Sequence, residues 1–263
     1  MGQRPSTYRP LSLRFYPEVL VKSLPNRHER AFLDMTFLPA SALIFDLDGT
    51  LLDTEPLYTL ATQRVFDEYG KDFTLEFKRT IVGREAKESA EMTVRHFDLP
   101  IDAETFLAAR GDILKTLFPD APAIEGAEPF MTTLQSSVFS HGIATSSARA
   151  LFELKRSKKT WLKAVTHTLC GDEVTKSKPD PDIFLTMART LGVDPSDCLV
   201  FEDAESGIQA AEAAGMRVIC VDSPYIDEAA KQRADTVIQG FNDIVVTRDP
   251  SAGIRIHPSH PPG

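Results

Sequence analysis

Apolar residues fall into two regimes along this chain. Between residues 55 and 120 they recur every three or four positions, the spacing of amphipathic helices. From about 138 onward they come as short strand-type runs divided by helical stretches. In the first regime a helix starts at Thr54-Glu55-Pro56, with Thr54 as N-cap and Pro56 in the first turn. Leu57, Leu60, Ala61, Val65, Phe66 and Tyr69 carry its periodicity, and Gly70 ends it. Further helices are predicted over 74–82, 84–97, 102–118 and 126–136. In the second regime strands are predicted over 140–145, 165–170, 198–202, 217–221 and 235–238. Helices Pro181–Leu191 and Ser206–Ala214 lie between them, closed by Gly192 and Gly215. One more strand-type run, Ala42-Leu43-Ile44-Phe45, precedes everything helical. Alternating strands and helices predict an α/β fold, a parallel sheet covered on both faces. Its first strand is parted from the others by a helical insert.

These patterns divide the chain into a core of 40–54 plus 121–248, a helical cap over 55–120 and a loose tail over 249–263. Residues 1–34 stand apart, with Arg4, Arg9, Arg14, Lys22, Arg27 and Arg30 against few acids. That composition fits a disordered extension or an organelle-targeting segment. A product starting at Met35 would keep every motif described below.

Size and charge narrow the function. The 263 residues, 42% hydrophobic, can bury one sizeable core and a smaller companion. A net charge of −9 argues against nucleic acid as a partner, which needs a basic face. It leaves anionic small molecules open, because a bound metal can reverse the local field. Cys170, Cys198 and Cys220 are widely spaced and form no CxxC, so neither a disulfide framework nor a zinc site is expected. A reducing, cytoplasmic setting fits that usage. No apolar run reaches the length of a membrane span, and no membrane partner is expected.

Four short stretches carry candidate chemistry. Asp46-x-Asp48-Gly49-Thr50 ends the first strand with two carboxylates at i and i+2, which point to the same side of a strand. Ile143-Ala144-Thr145-Ser146-Ser147 runs a strand into small hydroxyl residues. Ser177-Lys178-Pro179-Asp180-Pro181-Asp182 holds a lysine in a Pro-rich turn before a helix. Leu199-Val200-Phe201-Glu202-Asp203-Ala204 is a second apolar strand ending in paired acids, with Ser206-Gly207 opening a helix. Taken singly, each fits a bland role: a solvated turn, a helix N-cap, a surface lysine. Together they supply what phosphoryl transfer from a monoester needs. A carboxylate serves as nucleophile, a second acid moves the proton, and Mg²⁺ on hard oxygen ligands with a lysine offsets phosphate charge. Hydroxyl and amide donors hold the equatorial oxygens.

The four stretches, in this order over residues 42–222, resemble those of the haloacid dehalogenase superfamily, whose members have a Rossmann-like doubly wound core and a mobile cap. The resemblance implies Asp46 as nucleophile, Asp48 as general acid/base and Thr145 with the Ser146 backbone as phosphate donors. It implies Lys178 as the phosphate-neutralising cation. Asp46, Asp203 and the Asp48 carbonyl become Mg²⁺ ligands, with Glu202 as a further contributor. The acid at Asp48 is similar to the phosphatase and phosphomutase branches, because the dehalogenase branch lacks it. Leu51-Leu52-Asp53-Thr54-Glu55 and Phe201-Glu202-Asp203-Ala204 followed by Gly207 resemble the small-helical-cap group, with Asp53 a structural acid at the start of the cap. Gly126-Ala127-Glu128, Lys178-Pro179-Asp180-Pro181-Asp182-Ile183-Phe184 and Ala213-Ala214-Gly215-Met216 are similar to pseudouridine-5′-phosphatases and riboflavin-phosphate phosphatases. The implied activity is Mg²⁺-dependent hydrolysis of a small soluble phosphomonoester, nucleotide-like or sugar phosphate, through an aspartyl-phosphate.

Several positions bear on the rivals. β-Phosphoglucomutases carry a His where this chain has Tyr58, which speaks against a sugar phosphomutase. A catalytically silent binding module would lack a motif acid or the lysine, and all are present. Arg84 and Lys87, near the segment that resembles the cap's substrate loop, are candidate leaving-group contacts; the alternative is a solvated basic surface. His141 reads as a strand-edge histidine, and Gly142 is expected to loosen the strand that positions Thr145.

Overall fold

The computed structural model describes residues 36–81, 86–137, 139–247 and 253–256. A strand β1 (Thr36–Pro39) leads into β2 (Ala42–Phe45), the strand on which the rest is hung. All four residues of β2 are buried, Leu43 and Phe45 toward one face and Ala42 and Ile44 toward the other. A strand apolar on both sides must be sandwiched, and β2 lies inside a six-stranded sheet. Its neighbours are β3 (Ser140–Thr145) and β5 (Cys198–Glu202). Outside them run β4 (His167–Cys170), β6 (Arg217–Val221) and β7 (Thr236–Ile238), in the order β4-β3-β2-β5-β6-β7 with every pairing parallel. This is the doubly wound α/β arrangement the alternation predicts.

Between β2 and residue 117 the described residues build four α-helices, α1 (Glu55–Asp67), α2 (Leu75–Ile81), α3 (Ala86–His96) and α4 (Ala103–Leu117). Helices α1, α3 and α4 share an apolar cluster of Val65, Phe66, Ala90, Leu99 and Phe106, while Ala61, Leu114 and Phe118 form another that packs against Leu151 and Leu154. The two linkers that join them to the sheet run side by side. Leu52 bridges Ala123, the Asp53 amide donates to the Pro122 carbonyl at 2.9 Å, and the Ile124 amide donates to the Leu51 carbonyl at 3.0 Å. Buried Lys78 of α2 adds a further tie. Its ammonium reaches the Glu55 carboxylate at 2.9 Å, Thr59 Oγ1 at 2.7 Å and, across in the core, the Tyr225 hydroxyl at 3.1 Å.

The remaining helices are α5 (Ala127–Leu134), α6 (Arg149–Arg156), α7 (Thr160–Lys163), α8 (Asp182–Leu191), α9 (Glu205–Ala213) and α10 (Glu228–Lys231). One face of the sheet packs an aromatic group: Phe45 stacks on Phe201 at 4.7 Å between ring centres, with Phe130 and Phe241 around them. The other face takes Ile183, Phe184 and Met187 of α8 and Ile208 and Ala211 of α9. Among the described residues no helix is long and apolar enough to cross a membrane.

Three expectations are corrected. The stretch 249–263 is not loose throughout: Gly253–Ile256 forms strand β9, antiparallel to both β1 and β8 (Ile244–Thr247) in a separate three-stranded sheet. Its two-residue alternation of isoleucines is short and flanked by Pro-containing sequence, which hides it. Thr54 makes no side-chain cap to α1, because its hydroxyl is turned to an acid of the site. Gly142 does not loosen β3. It holds a ladder position opposite Ile44 and His167, and a Cβ there would stand 2.5 Å from Met187 Sδ. The missing side chain lets α8 approach the sheet. His141 is a strand histidine with Nδ1 3.2 Å from the Phe139 carbonyl. Residues 1–34 and Arg84 lie outside the described residues.

Because Phe45 and Phe201 hold the two central strands together, truncating Phe45 to Ala should cost about 3–5 kcal/mol. Urea unfolding of the variant against the parent measures it; a loss below about 1 kcal/mol would contradict this packing.

Candidate active site

Parallel strands place all their carboxyl ends at one edge of the sheet, where open α/β sheets bind ligands. Asp46 follows β2 directly, and its amide donates to the Phe201 carbonyl of β5 at 2.9 Å. That bond sets Asp46 beside Glu202 and Asp203, the acids that end β5. One carboxylate oxygen from each of the three lies within 4.8 Å of the others. Lys178 closes the group. Its ammonium is almost fully buried, 2.6 Å from Asp46 Oδ1, 2.6 Å from Glu202 Oε1 and 3.1 Å from the Ala144 carbonyl. Glu202 Oε2 accepts from the amides of Asp203 and Ala204, at 3.0 and 3.2 Å. Asp203 Oδ1 accepts from Thr50 Oγ1 at 3.0 Å. Gly49 makes this approach possible: it sits at φ +84°, and a Cβ would fall 2.0 Å from Asp203 Oδ2.

Asp48 has a different set of partners. Thr54 Oγ1 donates to its Oδ1 at 2.8 Å and Ser147 Oγ to its Oδ2 at 2.8 Å. The ammonium of Lys155, on α6, lies 2.6 and 2.7 Å from the two oxygens. Lys155 is fully buried, donates to Ser147 Oγ at 2.8 Å and sits 4.5 Å over the Phe118 ring. The i, i+2 acids thus converge on one site but pair with different lysines. Nothing in the reading of motifs singles out Lys155. The available signal is its place on the apolar face of α6, three and four residues after Phe152 and Leu151, where a lysine needs a buried anion. Thr50, Thr54 and Ser147 are likewise functional neighbours that the motif pattern leaves unassigned.

Charge decides what the site can hold. Asp46, Asp48, Glu202 and Asp203 offer four carboxylates against the two ammonium groups of Lys155 and Lys178, an excess of two negative charges. The consequence is unequal. Burial, with Glu202 and Asp48 adding to it, pushes the Asp46 carboxyl up to about 7 despite Lys178. Burial and the charges of Glu202 and Asp46 push Asp203 well above the usual carboxylate range. For Asp48 burial pulls the same way, but Lys155, Ser147 and Thr54 outweigh it and hold the group below that range. Asp46, Glu202 and Asp203 give only hard oxygen donors, with neither His nor Cys among them. This donor set fits Mg²⁺, and a dication would balance the excess charge.

The hydroxyl segment ends β3 beside these acids. Thr145 is buried, and its Oγ1 accepts from the Ser147 amide at 3.0 Å, leaving the hydroxyl proton free to donate. Ser146 next to it is exposed. Lys87 is exposed on the first turn of α3.

Residues 43–221 match the family model described as haloacid dehalogenase-like hydrolase. The chain belongs to this family. It is 37% identical over 206 residues to the probable pseudouridine-5′-phosphatase of Drosophila melanogaster, covering 76% of this chain and 89% of that protein. It is 35% identical over 252 residues to the mitochondrial (DL)-glycerol-3-phosphatase 1 of Arabidopsis thaliana, covering 92% and 84%. The solved HAD family hydrolase of Deinococcus radiodurans, with bound phosphate and sodium, superposes with a TM-score of 0.66 at 26% identity over 76% of this chain and 91% of that one.

The Lys155–Asp48 pair generates a stability test. Lys155→Met leaves a largely buried carboxylate without its cation and should cost about 3 kcal/mol. Adding Asp48→Asn removes the stranded charge and should recover most of that loss. The pair's contribution is present above the ordinary aspartate range and is lost as pH falls through the depressed value of Asp48, so the double variant should lack that acid-side decline. Urea unfolding at several pH values reads both effects; additive losses would contradict the pairing.

Proposed function

We propose that this protein is a Mg²⁺-dependent phosphomonoesterase acting on a small substrate through an aspartyl-phosphate. The observation that carries the reading is the meeting of Asp46, Asp203, Glu202 and Lys178 at the ends of two adjacent parallel strands. Class membership and phosphatase-named relatives support a phosphoric monoester hydrolase.

In this reading Asp46 Oδ attacks phosphorus, forming one P–O bond as the ester P–O bond breaks. Lys178 stands beside Asp46 and offsets the charge of the transferred phosphoryl group. Thr145 Oγ1 and the Ser146 backbone donate to its equatorial oxygens. Asp48, held ionised beside Lys155 in the free site, takes up a proton from solvent as substrate enters and gives it to the departing alkoxide, then takes one from the water that attacks the aspartyl-phosphate. Asp46, Asp203 and the Asp48 carbonyl hold the cation, with Glu202 beside them orienting Lys178. Bound there, Mg²⁺ supplies electrostatic relief between the incoming dianion and the carboxylates.

The cap, tied to the core through paired linkers, sequesters the phosphoryl group from bulk water. Tyr58 works against the mutase rival. It packs edge-on against Phe118 at 5.6 Å, and burial raises its hydroxyl above the ordinary tyrosine value, so it offers no acid/base group near neutral pH.

The test is a phosphate-release screen with Mg²⁺ over glycerol phosphate, pseudouridine phosphate, flavin phosphate and sugar phosphates. Asp46→Asn should lower turnover by at least about 1,000-fold while the fold persists, and a chelator should stop release in the parent. Parent-like rates from a folded Asp46→Asn protein would overturn the nucleophile. Bisphosphate-dependent isomerisation with little free phosphate would favour the mutase.

A further inference from the structure

Arg110, on α4, is half-buried yet its guanidinium makes no hydrogen bond or ion pair among the described residues. It lies over two aromatic rings instead, 5.2 Å from the centre of Phe106 and 5.8 Å from that of Tyr58. A guanidinium carries five N–H donors in its plane, and stacking occupies only its faces.

Tyr58 connects this free edge to the acids. It stands one helical turn after Thr54, its amide donating to the Thr54 carbonyl at 3.2 Å, and residues four apart share a helix face. Thr54 in turn donates to Asp48. On the core side, Tyr58 packs against Phe118, over whose ring the Lys155 ammonium sits. Asp48, Lys155, Phe118, Tyr58 and Arg110 therefore form a continuous line from the proton-handling acid up into the cap. Electrostatics agree: Tyr58 feels the charges of Lys155, Asp48 and Arg110 together.

We propose that Arg110 is the specificity-determining residue of the cap, reading the hydroxyl oxygens of a polyol or sugar leaving group. This rests on the phosphomonoesterase reading. A leaving oxygen protonated by Asp48 has the rest of its alcohol on the Tyr58 side, within the line that ends at Arg110. A neutral, hydroxyl-bearing group fits better than a second anion. The Glu55 and Asp48 carboxylates already act on this line and would repel further negative charge. The Tyr58 ring gives such a group an apolar wall, and the guanidinium edge gives it donors.

The experiment compares kcat and KM, with Mg²⁺, for glycerol phosphate, fructose 1-phosphate, phosphoglycolate and phenyl phosphate, whose leaving group has no other hydrogen-bonding atom. Arg110→Gln should lower kcat/KM about 10–100-fold for the two polyol phosphates and by less than about threefold for phenyl phosphate. Arg110→Lys should recover part of the loss. Because Arg110 has no ionic or hydrogen-bonding partner to strand, both variants should lose only its stacking on Phe106 and Tyr58 and melt slightly below the parent. Equal loss on all substrates would mean a structural role and overturn the proposal, as would no loss on the polyol phosphates. A loss confined to phosphoglycolate, or a parent that prefers phenyl phosphate, would overturn the hydroxyl assignment. A parent that releases phosphate from none of the four would overturn this inference, and one silent also on pseudouridine and flavin phosphate would bring down the phosphomonoesterase reading itself.

Discussion

Four carboxylates are drawn to one edge of a parallel sheet, and two buried lysines keep them there. Like charges in a poorly solvated site repel strongly, so the cluster forms only because Lys178 bridges Asp46 and Glu202 while Lys155 clasps Asp48. The sheet imposes this crowding. β2 and β5 are adjacent and parallel, packed through Phe45 and Phe201, so their terminal acids must emerge side by side. Two lysines answer only half of the negative charge. What is left over is a standing demand for a cation, built into the topology before any ligand arrives.

The two lysines also divide the work. Lys178 touches one acid of each strand and raises positive charge where a phosphoryl group would transfer. Lys155 touches neither of these acids and gives its ammonium to Asp48 and Ser147. The outcome is two acids two residues apart with opposite tendencies, Asp46 pushed up by burial and Asp48 held down by its ion pair. A cation bound against Asp46 would favour its ionised, nucleophilic form, offsetting the effect of burial.

How much of this was legible in the chain depended on distance. The apolar run into Asp46 and the run into Glu202-Asp203 declare themselves locally, because a strand buried on both faces has only one place to put polar residues, its end. Lys178 was legible through its turn and its order among the motifs. Lys155 was not: it is separated from Asp48 by the whole cap, and a helix turn containing lysine looks solvated until its neighbours are known. Thr54 misled for a related reason. A threonine before Glu55-Pro56 is a good N-cap by local rules, and only the folded site offers its hydroxyl a stronger, charged acceptor. Gly142 likewise reads as weakness in one strand and proves to be clearance for α8 from another part of the chain. Strand β9 went unread because its partners, β1 and β8, lie outside the alternating pattern that marks the main sheet.

Chemistry and selection are therefore written in different parts of the molecule. The core acids are held by strands buried on both faces and by short ion pairs, whatever the inserted helices carry. The inserted helices have an apolar cluster of their own and meet the core through two paired linkers, the Lys78–Tyr225 contact and the packing of Ala61, Leu114 and Phe118 against Leu151 and Leu154. The shared packing falls on the helix that carries Lys155 and not on the strands, so the inserted helices can vary without disturbing the sheet. On the proposed reading, selection would fall to residues such as Tyr58 and Arg110, on helices outside the sheet. That division would let the motif residues carry one reaction while the inserted helices differ in the alcohol they admit.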